Sequence, residues 1–177
     1  MSTILWEYKT EMEYAVYERS QRPAALVVFV DTDGVFRAPL AAFYAQEAAR
    51  RRKLPVRALA RSLYPPPSGA AGAEAETFLR QTFPGGFPQT GTCRQISDSD
   101  TCASLLVGVT GVHTRALIQM FPLHATRITG FAACGGDVFL PEKPEVQAYR
   151  HCAELLRERA EAVLDRIGKE LFPPHDG

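Results

Sequence analysis

The chain has 177 residues, 46% of them apolar and 23% charged, and a formal net charge of zero. This is the profile of one ordinary globular domain with a substantial core, and the charge balance removes any bulk electrostatic case for nucleic acid or an acidic membrane. No apolar run approaches the ~18 residues of a membrane span, and the opening WEYKTEMEY is too acidic for a signal peptide. Cys93, Cys102, Cys134 and Cys152 show no CxxC spacing and read as free thiols of a reducing, cytoplasmic compartment.

Residues 1–24 precede the first strand as an extension, with a helix expected over about 6–19. Trp6, Tyr8, Tyr14 and Tyr17 make that extension a candidate partner-binding element. Residues 25–30 form a continuous β-branched and apolar run suited to the centre of a parallel sheet. Pro39 is expected at the first position of a helix reaching Arg52, with Leu40, Phe43, Tyr44 and Ala48 as its apolar stripe. The basic cluster Arg50–Lys53 reads as that helix's solvated end.

A second strand is expected at 56–60, a Pro/Gly loop at 62–72 and a helix at 73–83. A short extended piece at 93–96 follows, then a third buried strand at 104–110 and a helix at 111–121 stopped by Pro122. A fourth strand at 126–131, a Gly-containing loop at 134–143 and a long amphipathic helix over 144–168 complete the series, with Gly168 as its C-cap and 169–177 as a tail. Strands alternating with helices imply βαβ units and a parallel, doubly wound sheet. In such sheets, ligands sit beyond the C-terminal ends of the strands.

The stretch Asp31-Thr32-Asp33-Gly34-Val35-Phe36-Arg37-Ala38-Pro39 stands at that place, between the first strand and its helix. Backbone N–H groups and the positive end of a helix converge there, and Arg37 adds a planar fork of donors suited to phosphate. The frame Asp31-x5-Arg37-Ala38-Pro39 resembles the Cys-x5-Arg-Ser-Pro signature of the low-molecular-weight protein tyrosine phosphatases, a family that also gave rise to arsenate reductases. Cys93-Arg94-Gln95-Ile96, Leu105–Thr110, Ala116–Pro122, Asp137-Val138-Phe139 and Tyr149 in the last helix are similar to the family's later segments in the same order.

The resemblance covers 25–168 and implies a three-layer, flavodoxin-like α/β sandwich with about four parallel strands. It implies a phosphate-binding loop of Thr32, Asp33, Gly34, Val35, Phe36 and Arg37, a general acid at Asp137 and a substrate-gripping aromatic at Phe139. The departures cluster at the loop. Asp31 stands at the nucleophile's position, Asp33-Gly34 in place of Gly-Asn, Phe36 in place of a frequent Cys, and Ala38 in place of Ser.

A carboxylate at Asp31 is a weaker nucleophile than a stabilised thiolate and a natural partner for Arg37 and the loop N–H groups. The expectation is therefore a catalytically impaired phosphatase-like protein with its crevice filled by its own charge. It would act by binding a phosphate-like anion, a phosphoprotein or a protein partner, the last also through the N-terminal helix, and would need no cofactor. The alternative is an active phosphatase. Val28–Val35 also resembles the DxDGV motif of haloacid-dehalogenase-type phosphatases, with Asp31 as nucleophile, and Asp31, Asp33 and Asp137 could gather Mg²⁺ through oxygen ligands. His113, near a helix start, reads as a solvated side chain.

Overall fold

The computed structural model describes residues 25–66, 72–87 and 93–171. The expected helix over 6–19, the rest of the 1–24 extension and the last six residues of the tail lie outside them. The elements run β1 (Ala25–Asp31), α1 (Arg37–Arg51), β2 (Val56–Ser62), α2 (Ala73–Thr82), β3 (Arg94–Gln95), β4 (Leu105–Gly108), α3 (Gly111–Met120), β5 (Ile128–Gly130) and α4 (Val146–Leu171). All strand pairs are parallel and the sheet order is β3-β2-β1-β4-β5.

The continuous apolar run of β1 has its explanation in this order. Successive side chains of a strand point to opposite faces, and both faces of β1 are covered. Val27 and Phe29 join a core with α1, α2 and α4, while Val28 and Val30 join a second core with Leu117 and Phe121 at α3. Three layers result: α1, α2 and α4 on one face, the sheet, and α3 on the other. Helix α1 buries Ala41, Ala42, Ala45, Ala48 and Ala49. These small side chains let its backbone lie close to both the sheet and α4.

The expected four strands become five. Residues 94–95 pair with Arg61 and Ser62 of β2, and both of their side chains are exposed, so backbone pairing rather than apolar patterning makes this edge strand. Arg61 and Arg94 both donate to Asp100 Oδ1, at 2.9 and 3.0 Å, tying the edge together. The third and fourth expected strands shorten to 105–108 and 128–130, and short 3₁₀ segments flank the latter.

Two helix boundaries also shift. Helix α1 starts at Arg37, so Pro39 is its third residue; a missing N–H costs nothing there because no N–H of the first turn has an intrahelical partner. Helix α4 runs through Gly168 to Leu171, carried on by buried Ile167 and an Arg166–Glu170 pair at 2.8 Å. The basic end of α1 is not merely solvated: Arg51 meets Glu161, and Arg52 meets Glu161 and Asp165 of α4.

Candidate functional site

Strand β1 ends at the C-terminal edge of the sheet, and the connection to α1, residues 32–36, curls back over it. Asp31 is wholly buried at this point. Its Oδ1 accepts the Gly34 N–H at 2.6 Å and its Oδ2 accepts the Ala38 N–H at 2.9 Å. Burial pushes the carboxyl above the ordinary aspartate range, opposed by these two N–H bonds and by the Arg37 charge. Asp33 Oδ1 accepts the Val35 N–H at 3.1 Å, a local Asx turn. The N–H groups of 34, 35 and 38, the donors that would face an anion, are thus all directed at the chain's own carboxylates.

Gly34 adopts φ +70°, and a Cβ there would overlap the Cys93 sulfur. Cys93 therefore occupies the space a side chain at 34 would need. Burial, with Asp31 and Asp33 adding to it, pushes the Cys93 thiol up to about 11, so it is no thiolate nucleophile at neutral pH. The Ser62 hydroxyl beside it is buried without a hydrogen-bond partner among the described residues.

The expected Asp31–Arg37 pair does not form. Both carboxylate oxygens of Asp31 are already held by backbone N–H groups. Buried Arg37 turns to the loop after β5 instead, where its Nη1 donates to the Val138 carbonyl at 3.4 Å. Asp137 is close by in sequence but differently engaged. Its Oδ2 accepts the Gly111 N–H at the start of α3, at 2.8 Å, while its Oδ1 is buried without a partner among the described residues. The proposed Mg²⁺ set of Asp31, Asp33 and Asp137 is not assembled, because each carboxylate is committed to a different backbone N–H. Among the described residues no group of three or more His, Cys, Asp or Glu is placed to hold a metal.

His113 is buried, not solvated as expected. Its Nδ1 accepts the Thr110 N–H at 3.1 Å and lies 2.8 Å from Thr110 Oγ1. The ring proton is consequently on Nε2, which donates to Thr32 Oγ1 at 2.9 Å. Burial, and then the Arg37 charge, lower the imidazole to about 4, so the ring is neutral at pH 7. In this tautomer it orients the Thr32 hydroxyl and cannot take a proton from it.

Two exposed aromatics frame the mouth. Phe139, expected as a rim residue, is 65% exposed. Tyr64 is 64% exposed and its N–H donates to the Thr32 carbonyl at 3.1 Å, which sets it beside the loop. Sequence reasoning missed Tyr64 because it sits in a Pro-rich loop, yet its place directly after a β-strand was the available signal. Phe36 points the other way, into the core, against Phe78 and Tyr149.

The β1–loop–α1 unit on a five-stranded parallel sheet, with helices on both faces, is the fold of the low-molecular-weight phosphatases. A mutant of YwlE from Bacillus subtilis superposes with a TM-score of 0.71 at 18% identity, covering 82% of this chain and 100% of that one. A low-molecular-weight phosphotyrosine phosphatase from Vibrio cholerae O395 gives 0.72 at 17%, covering 84% and 99%. One from T. tengcongensis gives 0.70 at 22%, covering 81% and 99%. No family model and no curated protein sequence matches the chain. No described helix is long and apolar enough to cross a membrane.

Proposed function

We propose that this chain is a non-catalytic protein of the phosphatase fold that acts by binding a protein partner over the mouth of the crevice. One observation carries the reading: the Asp31 carboxylate accepts the Gly34 and Ala38 N–H groups, so the anion site is filled from within. A phosphate brought beside that carboxylate meets a repulsion of about 4 kcal/mol per unit charge pair at ~4 Å and an effective dielectric near 20. Asp33 adds a second like charge. Among the described residues of the crevice none is set up as an attacking group, since both Asp31 oxygens are bound, the Cys93 thiol is pushed up to about 11 and His113 donates to Thr32. Arg37 directs one guanidinium nitrogen to a carbonyl across the crevice. The exposed rings of Tyr64 and Phe139 suit a protein surface, aromatic side chains being enriched at interface centres. The N-terminal extension, with its aromatic residues, is a second candidate surface for the same partner.

The test uses turnover and thermal unfolding together. Solved proteins of this fold include YwlE, described as an arginine phosphatase, and tyrosine phosphatases, so both p-nitrophenyl phosphate and a phosphoarginine peptide are assayed, with and without Mg²⁺. The expected outcome is no turnover and no phosphate-induced rise in Tm for the wild type, with a phosphate response appearing in Asp31→Cys. Turnover that Asp31→Ala abolishes overturns the reading. A rise in wild-type Tm with phosphate but without turnover replaces the protein partner with an anion or phosphoprotein.

A further inference from the structure

A second concave site lies among the three helices that cover one face of the sheet. Helix α4 places Arg150, Ala153, Glu154 and Arg157 on one side, as the i, i+3, i+4, i+7 spacing requires. That side faces Tyr44 of α1 and Phe78 and Thr82 of α2 across a cavity of about 130 Å³. Ala153 is the small residue that leaves the gap. Phe78 is buried and forms the floor, with the Arg150 guanidinium carbon 5.8 Å from its ring centroid.

The lining has two guanidinium groups against one carboxylate. Among the described residues Arg157 joins no ion pair. The remaining polar contact of Arg150 is a long one, 3.4 Å to Gln81. Burial raises the Tyr44 phenol above its ordinary range, so it stays a protonated donor at neutral pH.

We propose that this cavity binds a small planar monoanion of the aryl-carboxylate class. A cavity of about 150 Å³ holds one benzene ring, which sets the size of the occupant. The Phe78 and Tyr44 rings provide the edge-on and offset contacts aromatic groups prefer. The Arg157 and Arg150 forks match a carboxylate, and Glu154 opposes a dianion or a second acid. Phe78 also packs edge-on against Phe36 of the loop, at 6.0 Å, so an occupant lies one ring away from the crevice.

The experiment is a titration of the full chain with benzoate, followed by backbone amide NMR, with benzylamine as a cation of the same size. Saturable shifts at Tyr44, Phe78 and Ala153 are expected with benzoate and none with benzylamine. Arg157→Gln, at an exposed position, is expected to leave the rest of the spectrum in place while weakening benzoate about tenfold or more. Absence of saturable shifts, an equal response to benzylamine, or an unchanged affinity in Arg157→Gln overturns the proposal.

Discussion

Asp31 inverts the usual use of a strand-to-helix anion site by supplying the anion covalently. Its consequences are felt at its neighbours. Gly34 is held at positive φ against the Cys93 sulfur, so Gly34→Ala combines a left-handed penalty of about 1–2 kcal/mol with an overpacking cost of about 1–3 kcal/mol. Urea unfolding should show a loss of about 2–5 kcal/mol, and Cys93→Ala in the same chain should recover the overpacking share only. His113 gives a pH signature. Its folded value of about 4 lies below the 6.5 of an exposed imidazole, so the unfolded chain binds the extra proton between those values. Stability therefore rises with pH across that window and is lost on acidification. Between pH 6.5 and 4.5 the wild type should lose about 2 kcal/mol more than His113→Gln. The raised Asp31 carboxyl acts in the opposite sense, costing stability as pH rises above 3.8, but it is common to both proteins. At this scale the sequence singled out Asp31, Asp33, Arg37, Asp137 and Phe139 as candidates, since residue types and spacing are visible in it. It misassigned the partner of Arg37 and read the buried His113 as solvated. Which donor meets which acceptor depends on the direction of side chains brought together across 101 and 81 positions of chain.

The loop between β1 and α1 is held by a ring as well as by its carboxylates. Phe36 lies 5.1 Å from Tyr149 of α4 and 6.0 Å from Phe78 of α2, edge-on to both. Truncating it leaves a cavity where three helices meet, and Phe36→Ala should cost about 3–5 kcal/mol. By contrast, Arg51 joins α1 to Glu161 of α4 with 62% of its side chain exposed, and Arg51→Ala should stay within about 1 kcal/mol. Chemical denaturation of the two variants side by side checks both values. In the sequence, Phe36 registered as a member of the phosphate-binding loop and a departure from a related motif, not as a core anchor, because an isolated aromatic beside an Arg carries no periodicity. The short elements were read with wider bounds than they have, 93–96 for β3 and 126–131 for β5. Strand β3 has exposed side chains, and β5 has three residues bounded by 3₁₀ turns, so neither presents the alternation or the apolar length that announces a strand.

Across the whole molecule, β1 is the axis. It is flanked by β2 and β4 and covered on both faces, whereas β3 pairs on one side only. Amide exchange should therefore be slowest at Val27–Val30 and Leu106–Val107 and much faster at Arg94 and Gln95, the edge being the part that opens at least cost. An exchange map with β3 as protected as β1 would contradict that order. The alternation of strands and helices, the buried run of β1 and the amphipathic length of α4 were legible in the linear sequence, because hydrophobic periodicity is a local property that burial on one or two faces imposes directly. So was the location of the crevice, which follows from where a parallel sheet leaves free N–H groups and a helix N-terminus. Only the tertiary structure decided that those N–H groups are taken by Asp31 and Asp33, that Arg37 turns to Val138, that Cys93 fills the space at Gly34 and that the three acids do not meet. Each of these is settled by distances and directions between segments far apart in the chain, set by packing across the sheet and carrying no mark in the local pattern of residues.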